Sequence, residues 1–173
     1  MEFSALERKF EPKVRGRDRQ SAKRSVNVRS MSPALTSPAF DLDSRLRADT
    51  LPVGDLELST ILLLNDARFP WFVLVPRVAG ASEVTDLSGD EAAQLMREIR
   101  IATGVMLALA HPDKVNVGAL GNIVTQLHVH VVGRFRSDPA WPGPVWGHGT
   151  RTPYPDHAAA ALIDRAAQLF MAA

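Results

Sequence analysis

Apolar residues recur along this chain with two different periods. LSTILLL (58–64) and WFVLV (71–75) are short, nearly continuous apolar runs of the length and composition expected of buried strands, and the first stops at Asn65-Asp66. The wider segment 50–66 reads as one or two strands. The link from 64 to 71 is too short for a parallel crossover, so these strands form an antiparallel hairpin. The period then changes. Ser88-Gly89-Asp90-Glu91 has the spacing of a capping box, and Leu95, Met96, Ile99, Val105, Met106 and Leu109 follow at helical spacing until His111-Pro112 stops the element. A helix of about 20 residues is predicted, with one face covering the sheet. Residues 114–135 return to strand character, two strands around a glycine-bearing loop. Residues 141–155 carry too much proline and glycine for regular structure, and Asp156 is expected to cap a short alanine-rich helix over 157–171. Strands joined by tight turns with one main helix between them indicate an α+β fold with an antiparallel sheet.

Composition narrows the possibilities. The 173 residues are 46% hydrophobic and 23% charged, enough for one domain with its own core. With no cysteine, disulfides, thiol catalysis and cysteine-ligated zinc are excluded. The longest apolar runs, 61–64 and 105–110, are far short of a membrane span, and the first 20 residues have no secretory apolar core, so a soluble cytoplasmic protein is expected. The net charge of +1 hides an asymmetry. Residues 1–30 hold nine basic against four acidic side chains, and the remaining 143 hold eleven against fifteen. Residues 1–38 are therefore read as a basic, disordered leader and linker, and residues 39–173 as the folded domain. A nucleic-acid partner is not expected, because the domain itself is mildly acidic.

The chemistry concentrates in QLHVHVV, residues 126–132. Side chains alternate across a strand, so Gln126, His128 and His130 are predicted to share one face, with Leu127, Val129 and Val131 on the core side. The i to i+2 spacing, roughly 6.5–7 Å, lets two imidazoles address one small group. Three readings are open. The pair can ligate zinc or iron, although a catalytic metal wants a third ligand; Asp138 is the nearest following carboxylate, and Arg134 and Arg136 disfavour a dication. One imidazole can attack phosphorus, since the neutral ring needs no base, while the other binds phosphoryl oxygens and a carbonyl in a neighbouring strand orients the nucleophile. Or the histidines simply face water. The loop GALGN (118–122), whose backbone N–H groups can line an anion pocket, favours phosphate.

QLHVHVV resembles the signature of the histidine triad superfamily, His-apolar-His-apolar-His-apolar-apolar. ILLLND, WFVLVPR, the helix, VNVGALGNI and WPGPVWG follow in the order of that family over about residues 40–150. The resemblance is to its bacterial branch ending in a Trp-Pro-Gly segment. It implies a sheet of about five strands with one main helix and a short C-terminal one, in a homodimer with a continuous sheet. It also implies hydrolysis or nucleotidyl transfer at the α-phosphate of adenylated or dinucleoside polyphosphate substrates, through a nucleotidyl-histidine intermediate. His128 takes the nucleophilic position, and His130 the one that meets phosphate oxygens and assists the leaving group. Gln126 fills the supporting first position. Asn65 or Asp66 would meet the ribose, Leu64 and Phe72 the base, and Asn116, Gly121 and Asn122 the phosphate. No cofactor or metal is required by this chemistry, and the substrate nucleotide can enter as a magnesium complex. Two departures stand out: Gln126 replaces a histidine and cannot carry a proton, and Ile123 falls where many members place a hydroxyl residue. They keep open a second class, a nucleotide-binding or sensing protein with little turnover. The HxH metalloenzyme is the third. Trp141 and Trp146 are expected to pack down their loop, and His148 to be an ordinary loop residue.

Overall fold

The computed structural model describes residues 40–173; the expected basic leader, residues 1–38, lies outside them. The described chain runs α1 (Ser44–Asp49), β1 (Thr50–Asp55), β2 (Ser59–Leu64), β3 (Trp71–Pro76), α2 (Gly89–Ala110), β4 (Lys114–Gly118), β5 (Val129–Arg134) and α3 (Asp156–Met171). The five strands form one sheet in the order β1-β2-β3-β5-β4, every pairing antiparallel. The segment 50–66 resolves into two strands, with a register shift between Pro52 and Gly54 in the edge strand β1, where a residue without an N–H is tolerated.

The apolar runs give buried strands because both sheet faces are covered. On one face, Ile61, Leu63, Phe72, Leu74 and Val131 pack against Ala102, Val105 and Met106 of α2 and Ala166 and Phe170 of α3. On the other, Leu62, Trp71, Val73, Val75 and Val132 pack against Leu46 of α1, Phe69, Ala140 and Val145. Each of these large side chains contributes about 1.5–3 kcal/mol by leaving water. A side-chain Cβ at Gly133 would lie 2.9 Å from both Met106 Sδ and Pro70 Cγ, so glycine is what lets β5 approach the helix.

The predicted capping box starts α2: Ser88 Oγ accepts from Glu91 N, and Glu91 accepts from Ser88 N at 2.7 Å. His111 closes it in the left-handed conformation, φ 49°. Inside α2, Glu98 is fully buried and accepts from Leu58 N and Ser59 N at 2.6 and 3.0 Å, tying the β1–β2 turn to the helix. Asp156 is the first residue of α3 rather than its cap, which is Pro155. Among the described residues, no helix is long and apolar enough to cross a membrane.

Candidate active site

His130 lies in β5 and His128 immediately before it, on the face away from α2, with ring centroids 4.9 Å apart and planes at 83°. Neither faces bulk water: His128 is 6% exposed and His130 8%, because the irregular segment after β5 folds back over that face. The rings beside His130 are Trp71 at 5.3 Å and Trp146 at 5.9 Å, all edge-on. A Cβ at Gly118 would meet two ring carbons of Trp146 at 3.2 Å, so the end of β4 is shaped to let this indole settle.

Hydrogen bonds assign the proton on each imidazole. Nδ1 of His128 lies 2.6 Å from the backbone O of Gln126. A carbonyl only accepts, so this nitrogen carries the hydrogen and Nε2 is left with its lone pair. The orienting carbonyl is two residues back in the same chain, not in a neighbouring strand as expected. His130 is arranged the opposite way. The indole N–H of Trp71 donates to His130 Nδ1 at 2.9 Å, which places the proton of the neutral ring on Nε2. Burial, with His128 adding to it, pushes the His130 pKa down to about 3. The pair therefore aims one nitrogen lone pair, on His128, and one uncharged N–H donor, on His130, at the same space.

A cavity of about 470 Å³ opens onto both rings, within the size range of small-ligand sites. Leu46, Leu64, Val73, Val124 and Val145 form apolar walls, and Asp49, Arg68, His148 and Arg151 stand among the polar ones. Of the residues predicted for nucleotide contact, Asp66 and Asn122 line this cavity. Asn65, Asn116 and Gly121 do not. Asn65 Oδ1 accepts from Tyr154 N at 2.9 Å. Asp66 is 1% exposed and accepts from Arg68 Nε, Arg68 Nη2 and Thr152 N. Burial alone would raise its pKa, but hydrogen bonds from the Arg68 side chain and from the Thr152 and Arg68 amides outweigh that and hold it below the usual value. These residues strap the segment 148–154 onto the end of β2, helped by Arg68 Nη1 donating to His148 O and Ala67 N donating to Thr152 O. His148 thus lines the cavity rather than serving only as a loop residue.

Two further expectations, those for Phe72 and Gln126, are revised. Phe72 belongs to the opposite sheet face, against Phe170 at 5.2 Å, so the base wall comes from Leu64 and Val73 instead. Gln126 precedes the ladder of β5, and its side chain turns away from the histidines to the backbone of Asp41 and Asp43. The alternation rule was carried past the end of the regular strand. Arg134 does not line the cavity. It is 1% exposed, forked onto both oxygens of Asp138 at 2.8 and 3.0 Å, and donates to Asn116 Oδ1 at 2.8 Å. Asp138, whose pKa is lowered first by the Arg134 hydrogen bonds, is therefore spent. Among the described residues, no group of three or more His, Cys, Asp or Glu side chains is placed to hold a metal ion. Sequence reasoning missed Trp71 entirely, although register would have found it. Trp71 shares the face of Val73, and Val73 pairs with His130.

Comparison with known proteins agrees with the geometry. Residues 45–137 match the HIT domain. A histidine triad protein from Bradyrhizobium japonicum is 41% identical, with TM-score 0.75 over 77% of this chain and 99% of that one. One from Sinorhizobium meliloti is 43% identical, TM-score 0.73, over 75% and 96%. A third, from Marinobacter aquaeolei, is 41% identical, TM-score 0.76, over 78% and 98%. No curated protein sequence matches the chain. The fold and the paired imidazoles define a histidine triad domain. The chain belongs to the HIT family.

Proposed function

We propose that this protein is a nucleotide hydrolase or nucleotidyl transferase acting at the α-phosphate of adenylated or dinucleoside polyphosphate substrates. The observation that carries the reading is the opposed hydrogen bonding of the two Nδ1 atoms: that of His128 lies on the Gln126 carbonyl, and that of His130 under the Trp71 N–H.

In the first step, the lone pair on His128 Nε2 forms a bond to phosphorus as the bond to the leaving group breaks, and the leaving oxygen departs with its electron pair. The ring becomes cationic, and its Nδ1–H then binds the Gln126 carbonyl more strongly than in the ground state. An interaction that grows along the reaction coordinate lowers the barrier. His130 Nε2–H donates to a phosphoryl or leaving-group oxygen without carrying a charge of its own. In the second step, water or another acceptor attacks phosphorus and loses its proton to solvent, while the bond from phosphorus to His128 breaks and returns the electron pair to Nε2. The nucleoside occupies the apolar walls of Leu46, Leu64 and Val73. No metal takes part in bond making, and magnesium enters only with the substrate. The outer edge of β4, unpaired among the described residues, supports the homodimer that belongs to this reading.

The test is a panel of adenylated and guanylated substrates, followed by release of the mononucleotide. Turnover that is lost in His128→Ala is the expected result, and turnover at wild-type rate in that variant contradicts it. A protein that only binds would instead be stabilised by AMP, by about 2.7 kcal/mol at 100 times Kd, with no product formed.

A further inference from the structure

Gln126 stands at the first position of the signature, yet neither of its amide atoms is bonded to an imidazole. Its Oε1 accepts from Asp43 N at 2.9 Å, and its Nε2 donates to Asp41 O at 2.8 Å. A carboxamide presents an acceptor and a donor side by side, which suits an N–H and a C=O two residues apart on one extended segment. That segment leads directly into α1. Asp43 caps the helix, accepting from Arg45 N, and Arg45 Nη1 donates to Ile123 O at 2.7 Å, a second tie to the same loop. Leu46 and Asp49 of α1 then form part of the cavity wall. Meanwhile the main-chain carbonyl of Gln126 holds Nδ1–H of His128.

We propose that Gln126 is a positioning residue that locks the α1 wall of the nucleoside cavity to the nucleophile, and that its side chain takes no part in the phosphoryl chemistry. One residue is bonded through its backbone to the attacking ring and through its side chain to the segment that carries the facing wall. An imidazole at 126 cannot replace it, because its two nitrogens point in diverging directions and cannot satisfy Asp41 O and Asp43 N together. Restoring the three-histidine pattern therefore weakens substrate binding instead of improving catalysis.

This inference rests on the functional reading above, so its test has one arm free of substrate. In the full chain, Gln126→Glu, which keeps the shape but loses the donor, and Gln126→His are compared with wild type. Hydrogen exchange of amides 41–49, without ligand, is expected to quicken roughly tenfold in both variants while β3 and β5 keep their protection. With an adenylated substrate, KM is expected to rise roughly tenfold while kcat changes little. Unchanged exchange at 41–49 overturns the anchoring. A change in kcat at constant KM in Gln126→His overturns the claim that the side chain is outside the chemistry. Faster exchange with no turnover by any form, wild type included, supports the anchoring and contradicts only the proposed function.

Discussion

Trp71→Phe isolates the feature on which the division of labour between the histidines depends. The indole N–H is 2.9 Å from His130 Nδ1, in a setting where Trp71 is 5% and His130 8% exposed, so the bond is shielded from bulk water. Phenylalanine fills most of the space but donates nothing. If the proton stayed on Nε2, Nδ1 would be a buried acceptor without a partner, at a cost of about 1–3 kcal/mol. The ring escapes part of that cost by moving its proton to Nδ1. It then presents a lone pair where a phosphoryl oxygen needs a donor. Loss of one aimed donor lowers turnover on the order of 10²–10³. Because the donor acts mainly on charge that develops during the reaction, kcat should fall with little change in KM. Long-range ¹⁵N–¹H correlation reads the tautomer of His130 directly, and steady-state kinetics reads the rest. A variant that keeps its Nε2–H signal and its turnover would refute the reasoning.

Other consequences follow from buried charge. Asp138→Asn removes one end of the fork on Arg134 and leaves a guanidinium that is 1% exposed without its counter-charge; about 3–5 kcal/mol of stability should be lost in denaturant titration, and an unchanged midpoint would contradict the pairing. Acid should also act through His130. Its pKa is near 6.5 in the unfolded chain and about 3 in the fold, so above pH 6.5 it contributes nothing to the pH dependence. Between those values the unfolded state binds the extra proton, and stability falls by up to about 1.4 kcal/mol per pH unit. His130→Gln should flatten that part of the stability profile relative to wild type. Equal slopes in the two proteins would show that His130 is not held neutral. In His130→Ala, which removes the donor altogether, loss of the leaving-group contact should lower turnover on the order of 10²–10⁴.

Much of the fold was legible because the sheet is covered on both sides. Residues 58–64 and 71–75 had to be nearly continuous apolar runs, and α2 carries its start signal in Ser88 and Glu91. The six residues of α1 were not legible, since less than two turns leave no periodicity to read. The histidine pair was found by alternation, and the same rule failed at Gln126, three residues before β5 begins, where the side chain is drawn to Asp41 and Asp43. The roles of Asn65 and Asp66 were hidden for another reason. Their partners, Tyr154 and Thr152, lie 89 and 86 positions away, and no local pattern announces a hydrogen bond over that distance. Nothing in the sequence marked Arg134 as buried and forked onto Asp138.

The claim under all of this is that Nε2 of His128 becomes covalently bonded to phosphorus. Rapid quenching of enzyme turning over an adenylated substrate, followed by intact-mass and peptide mapping, tests it most directly. The account predicts a nucleotidyl adduct confined to His128, formed and consumed during turnover and absent from His128→Ala. An adduct on another residue, or steady turnover by the His128→Ala variant, would contradict it.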